Sequence, residues 1–323
     1  ALDENGEKLL QRVLQQSERM SALVENLLLL ARLDAAEEAR TGATDSEKSV
    51  ARTSVAQNDS STGTGTSEDS SSKQVTAPPM LQGLGAAGFH QSYCYFAWRN
   101  EKQEIEEYLW ELANESAHRV RPAFWPTTHD ILTPYMSTGG QHAFAIRAVL
   151  AATGSPTYGI YSGYELVEST PRPGAEEQID NEKYEFKPRN WEAAESTGLP
   201  HLLGTLNAIR HRHPALNRLR GLRINPTSDP NILSFTKFSR PEESPDGVAD
   251  AVIVTINLNP FEAHKAEISL NLSPFGVQAG WAGEPLLEVT DELSGRTYQW
   301  NEKPSVWLDP AWQFAHVMSV KVL

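Results

Sequence analysis

The chain has 323 residues, and at about 150 residues per domain that allows two domains with extras. Hydrophobic residues make up 39% of it, enough for a sizeable core, and 28 Lys plus Arg against 42 Asp plus Glu leave a net charge of -14. An acidic chain repels phosphate backbones, which argues against nucleic acid and for neutral or small ligands.

The N-terminus shows no basic segment followed by an apolar one, so no signal peptide is expected. The longest apolar run, 27–31, is far short of the ~20 residues of a membrane helix, and no membrane span is expected. The single cysteine, Cys94, excludes an internal disulfide framework and fits a reducing, cytoplasmic compartment. It lies between aromatics and reads as a buried, inert thiol.

Residues 1–34 come first. Leu9, Val13, Met20, Leu23, Leu27 and Leu30 follow the spacing of a coiled-coil seam, interrupted by Gln16. The stretch Glu18-Arg19-Met20-Ser21-Ala22-Leu23-Val24-Glu25-Asn26-Leu27 and its continuation to Asp34 resembles the second dimerisation helix of sensor histidine kinases. An ordinary amphipathic helix is the other reading. Residues 35–80 are rich in Ser, Thr, Gly and acidic residues and lack apolar periodicity, so a disordered linker is expected. Gly83-Leu84-Gly85-Ala86-Ala87-Gly88 matches a dinucleotide fingerprint formally, but no strand precedes it and the motif needs one.

Strands and helices then alternate. Strands are expected at 92–96, 123–125 and 157–161. Helices are expected at 101–116, 144–153 and 199–212, with Ile105, Tyr108, Leu109 and Leu112 on one face of the first and Leu202, Leu203, Leu206 and Ile209 on one face of the last. This rhythm implies parallel pairing with helices outside, an α/β arrangement. From about Arg218 the pattern becomes all-β. Short, β-branched, mostly alternating strands are expected at 232–238, 251–258, 266–272, 287–289, 297–300, 306–308 and 315–322, forming an antiparallel β-sandwich. His211 and His213 suit a helix end better than a metal, and no metal-ligand cluster is expected.

Three long, aromatic-rich stretches carry a resemblance: Gly88-Phe89-His90-Gln91-Ser92-Tyr93-Cys94-Tyr95-Phe96-Ala97-Trp98-Arg99-Asn100, Ser155-Pro156-Thr157-Tyr158-Gly159-Ile160-Tyr161-Ser162-Gly163-Tyr164-Glu165, and Glu182-Lys183-Tyr184-Glu185-Phe186-Lys187-Pro188-Arg189-Asn190-Trp191. They resemble the α-1,4-glucan:maltose-1-phosphate maltosyltransferases of the α-amylase-like clan, and the match runs from about Gly85 to the end. The resemblance implies a (β/α)₈ barrel followed by a β-sandwich, with about the last three barrel strands in 81–217 and the sandwich in 218–323. It implies transfer of maltosyl from α-maltose 1-phosphate to an α-1,4-glucan, no organic cofactor, and a homodimer.

Retaining transfer needs two carboxylates about 5 Å apart, one a nucleophile and one an acid/base. By resemblance these lie at the ends of the fourth and fifth strands, before the point matching Leu84. Neither has a counterpart in this sequence, so the chain is expected to be inactive alone. Asp130, at the C-terminal end of a short apolar strand, is by resemblance the carboxylate that holds sugar hydroxyls in the transition state. A helix N-cap ahead of Ile131-Leu132 is the other reading. His129 departs from this family, where Pro is usual, but His-Asp is common in the wider clan, where the His contacts sugar hydroxyls. A loop histidine without that role is the alternative. Lys183 and Tyr184 are by resemblance near the donor maltose, or else a surface-loop pair. Glu165 and Glu168 read as structural hydrogen-bonding groups rather than a catalytic pair. Three further readings stay open: a non-catalytic glucan-binding or scaffolding protein, a signalling protein that dimerises through the N-terminal helix, and a chimeric gene-prediction artefact that joins a histidine kinase fragment to the rest.

Overall fold

The computed structural model describes residues 78–89, 91–180, 186–278 and 284–323. The helix expected in 1–34, the linker up to residue 77, and Lys183 and Tyr184 lie outside the described residues. The first element, α1 (Pro78–Ala86), starts inside the stretch read as linker and carries most of the glycine-rich run. Its end closes with Gly88 N–H on the Gly85 carbonyl and Phe89 N–H on the Leu84 carbonyl, the two bonds of a Schellman motif. The run is therefore a helix end and not a strand–turn–helix phosphate loop.

Three parallel strands follow, β1 (Gln91–Tyr93), β2 (Arg121–Phe124) and β3 (Thr157–Tyr158), side by side in chain order. Tyr93 pairs with Ala123, and Ala123 with Thr157. The helices between and after them are α2 (Lys102–Asn114), α3 (Pro134–Gly154) and α4 (Leu199–Arg212). The expected apolar faces are the ones that bury: Ile105, Tyr108, Leu109 and Leu112 of α2, and Leu203, Leu206 and Ile209 of α4, with Leu202 half-buried beside them.

Two expected strands are shorter in the structure. The chain expected to be extended through Phe96 turns into a 3₁₀ helix at Tyr95–Trp98, because Arg99 N–H closes onto the Phe96 carbonyl. The third strand ends at Tyr158 because Gly159 leaves the ladder after one more bond, its N–H to the Phe124 carbonyl. The middle helix is longer than expected. It begins at Pro134, which suits a first helical position, and breaks at Gly140, whose φ is 52°. The paired glycines 139 and 140 hid this first half from the periodicity. From Ile146 to Gly154 every residue is buried, and that stretch carries one charge, Arg147.

The C-terminal part holds two antiparallel sheets. Six strands run in the order β4 (Leu222–Ile224), β5 (Ile232–Ser239), β6 (Asp250–Asn257), β11 (Ala315–Val322), β8 (Leu287–Asp291), β9 (Thr297–Trp300). Two strands, β7 (His264–Glu267) and β10 (Ser305–Leu308), form the second sheet. Strand β7 stops well short of the expected 266–272, with only Ile268 bridging onward to Thr227.

Strict alternation of buried and exposed positions is not what the central strands show. From Val252 to Asn257 every residue of β6 is buried, and so is every residue of β5 except Phe238. An antiparallel sheet usually keeps one face wet, and continuous burial means that both faces are covered. Ile232, Ile253 and Met318 face the two-stranded sheet, in a core with Ile268, Val306 and Leu308. Leu233, Val252, Val254 and Val317 face the helices, in the same core as Leu109, Phe144 and Leu206. The six-stranded sheet is thus a wall shared by two cores. Among the described residues no helix is long and apolar enough to cross a membrane.

Candidate active site

The three parallel strands all point their C-terminal ends the same way, and the loops leaving those ends meet. The loop after β2 turns back on itself. Thr128 N–H bonds to the Ile131 carbonyl at 3.1 Å, which leaves His129 and Asp130 as the two residues at the tip of a tight turn. The helix that follows starts at Pro134 with Thr133 as its N-cap residue, so Asp130 is not an N-cap. The tip instead offers a carboxylate and an imidazole side by side. Asp130 Oδ1 accepts a hydrogen bond from the Thr128 hydroxyl at 2.8 Å and lies 3.6 Å from His129 Nδ1. That leaves Oδ2 as the oxygen with capacity to accept from a ligand.

Tyr161, just beyond β3, sets its ring 6.3 Å from the His129 ring, tilted by 55°. Trp125 lies over Gly159: a Cβ there would come within 2.3 Å of the indole, so the backbone itself is the packing surface. From the loop after β1, Trp98 Nε1 donates to Glu176 Oε2 at 2.6 Å. Glu176 belongs to a hairpin turn whose backbone carbonyl also accepts from Leu132 N–H at 2.7 Å. One turn thereby ties the loops after β1 and β2 together. The hydroxyls of Thr127 and Thr133, on either side of the tip, are buried and make no hydrogen bond among the described residues.

Charge beside Tyr161 is tightly paired. Arg189 grips Glu168 with both ends of its guanidinium, at 2.9 and 3.2 Å, and also sits 5.8 Å from the Tyr161 ring centroid. Lys187 Nζ bridges Glu168 at 3.2 Å and Asp180 at 2.6 Å. Burial pulls the Lys187 ammonium down, but hydrogen bonds to Asp180 and Glu168 outweigh that and hold it above the usual range. Glu168 is therefore a neutralised structural carboxylate, and Glu165 accepts from Gly163 N–H at 3.3 Å. The turn that makes this possible is strained. Gly163 has a φ of 101°, a Cβ on it would fall 2.2 Å from Glu168 Oε2, and Val167 takes a left-handed φ of 54° that a β-branched residue rarely adopts. Tyr161, Phe186, Lys187 and Arg189 border an open depression of about 610 Å³.

The arrangement suits a neutral polyhydroxyl molecule: a carboxylate oxygen and an imidazole to take hydroxyl protons, with aromatic rings beside them. Of the expected site residues, Asp130 and His129 are brought together with Tyr161, while Lys183 and Tyr184 lie outside the described residues. The Arg189–Glu168 and Trp98–Glu176 ties went unread in the sequence. They join positions 21 and 78 residues apart, and no local pattern signals such pairs. Among the described residues no group of three or more His, Cys, Asp or Glu could hold a metal ion.

A family model described as "GLGE, C-terminal" matches residues 224–320. The α-1,4-glucan:maltose-1-phosphate maltosyltransferase of Arcanobacterium haemolyticum is 66% identical over 248 residues, covering 77% of this chain and 36% of that protein. The enzyme of the same description from Bifidobacterium longum is 47% identical over 246 residues, covering 76% and 32%. The chain thus spans about a third of the length of these curated relatives. Among solved structures, an α-amylase from Geobacillus thermoleovorans, complexed with acarbose, superposes with a TM-score of 0.50 at 12% identity, covering 76% of this chain and 51% of that one. At that identity the likeness shows fold alone, an α-amylase-like α/β body with a β-sheet domain after it. The chain is similar to the C-terminal part of the maltosyltransferases.

Proposed function

We propose that this chain forms the C-terminal portion of a maltosyltransferase, one that moves maltosyl from α-maltose 1-phosphate to the non-reducing end of an α-1,4-glucan and releases phosphate. The observation that carries the reading is the 66% identity over 248 residues to a maltosyltransferase. In this reading β1, β2 and β3 are the last three strands of a (β/α)₈ barrel, residues 81–217 close that barrel, and 218–323 are the sandwich. The two carboxylates that make and break the glycosidic bond then come from the part of the relatives that the chain does not span, and the chain alone does not turn over. The assembled enzyme works in the cytoplasm as a homodimer and needs no organic cofactor.

Within the reaction the chain's own contribution is to hold the donor sugar. With Thr128 on its Oδ1, Asp130 keeps Oδ2 for sugar hydroxyls. Such bonds strengthen as positive charge grows on the ring, which lowers the barrier rather than tightening ground-state binding. His129 takes a neighbouring hydroxyl, and Tyr161 supplies a flat apolar face beside it. Lys183 and Tyr184 complete the donor pocket in this reading.

A chimera tests it. The Arcanobacterium haemolyticum enzyme keeps its own sequence up to the point matching Gly85 and takes residues 85–323 of this chain from there. Phosphate release from α-maltose 1-phosphate, dependent on a malto-oligosaccharide acceptor, is the expected result. A folded chimera without that activity, beside an active parent enzyme, overturns the reading.

A further inference from the structure

The sandwich carries an aromatic cleft that the proposed reaction does not use. Trp307 on β10 is 55% exposed and Trp312, in the turn before β11, is 77% exposed. Together with Tyr298 they border a cleft of about 240 Å³ whose floor includes Gln313 and His316. Unlike a lone surface tryptophan, two exposed indoles and a tyrosine gathered on one cleft mark a candidate binding surface.

The cleft is held rigid from beneath. Trp312 sits in a turn closed by its own N–H and that of Gln313 on the Asp309 carbonyl, at 3.0 and 2.9 Å, with Asp309 Oδ1 accepting from Ala311 N–H at 2.9 Å. Below the floor lies Asp291, fully buried. Its Oδ2 accepts from Gln313 Nε2 at 2.6 Å, from Ser294 Oγ at 2.6 Å and from His316 Nδ1 at 3.2 Å, and its Oδ1 accepts from Val317 N–H at 3.1 Å. His316 Nδ1 faces both Asp291 Oδ2 and Gln313 Nε2, at 3.2 Å each, so the ring is held by that edge and Nε2 is the nitrogen left for a ligand. The same bonds turn the Gln313 amide so that its oxygen is left as an acceptor.

The geometry points to a second binding site, for a neutral gluco-oligosaccharide stacked on the Trp307 and Trp312 indoles and hydrogen-bonded by Gln313 and His316. Flat aromatic faces with a few fixed uncharged polar groups are what a sugar ring requires, with apolar C–H faces and a rim of hydroxyls. Arg296 is the one charged residue on the lining, and the other polar groups there are uncharged hydroxyl, amide and imidazole side chains, which suit a neutral ligand. A specific protein partner needs about 800 Å² from each side, far more than two side chains around a cleft of about 240 Å³ provide.

The test titrates the full 323-residue chain with maltoheptaose, and separately with cellohexaose, by calorimetry and tryptophan fluorescence. Saturable binding of either sugar at millimolar concentration is expected. Trp307→Ala and Trp312→Ala should each weaken it by about tenfold or more, and Trp312→Phe should recover part of the loss. Trp110→Ala, an exposed tryptophan away from the cleft, and Asp130→Asn should leave it unchanged. Insensitivity to Asp130→Asn separates this site from the proposed active site, so either proposal can fail alone. No saturable binding of either sugar, or binding that survives loss of both indoles in a chain of unchanged circular dichroism, overturns the inference.

Discussion

Arg147 stacks its guanidinium 4.0 Å above the ring of Phe96 while donating to the carbonyls of Phe96 and Arg99. Phe96 in turn stacks on Phe124, 4.1 Å between centroids at 11°, so one buried cation fastens α3 to the ends of β1 and β2. Arg147→Met keeps much of the volume and removes the donors, which strips the Arg99 carbonyl of this partner and leaves the Phe96 carbonyl with Arg99 N–H alone. A loss of roughly 2–4 kcal/mol in urea unfolding is expected. A change below about 0.5 kcal/mol would mean that the carbonyls find other partners.

Asp130 is proposed to act on the transition state more than on bound substrate. In the chimera, Asp130→Asn should lower kcat by about 10²–10⁴ with little change in KM. His129→Ala removes one hydroxyl contact and should cost less, about tenfold. Steady-state phosphate release checks both. A rise in KM at constant kcat for Asp130→Asn contradicts the role.

Gly163 holds the turn on which the Arg189–Glu168 pair is built. With φ at 101° and only 2.2 Å between an ideal Cβ at this position and Glu168 Oε2, Gly163→Ala must both strain the backbone and push the carboxylate away. A destabilisation of about 1–3 kcal/mol is expected. Gly174, also at positive φ but with nothing near its Cβ, should lose only the backbone part when changed to Ala. If the two substitutions cost the same, the contact with Glu168 contributes nothing.

Lys237 is buried on β5, its ammonium donating to the carbonyls of Arg218 at 2.6 Å and Leu219 at 3.2 Å. Burial, with the like charges of Arg218 and Arg210, pulls it down to about 7. Between pH 7 and its unfolded value near 10.4 the unfolded chain holds the proton and the folded chain does not, so folding becomes more favourable as pH rises through that window. Below pH 7 both states are protonated and the full cost of burying the charge remains. Stability of the wild type relative to Lys237→Met should therefore rise between pH 7 and 10, by an amount on the order of 4 kcal/mol at most. A flat difference across that range rules this out.

The regular elements were legible because their signals are local. Leu199–Arg212 opens after Gly198 and closes before Pro214, and its helix has the expected bounds. Ile232–Ser239 and Ala315–Val322 are dense in β-branched and apolar residues. Where the sequence misled, tertiary context decided. The alternation expected of half-wet strands gave way to continuous burial, because helices far upstream in the chain cover the second face. In the site, Asp130 was placed by its position after a strand, but nothing nearby shows that Thr128 and Ile131 would pin it at the tip of a turn. The strained Val167 is likewise fixed by its surroundings and not by its own preference.

The wall shared by two cores has a consequence for how the chain comes apart. Stripping the helices from Leu233, Val252 and Val254 would expose one face of the same sheet whose other face holds Ile253 and Met318. Neither layer has a dry surface left once the other is gone. A protease cutting near residue 218 should therefore not liberate a durable C-terminal half, and heating should give one coincident loss of helix and strand signal instead of two steps.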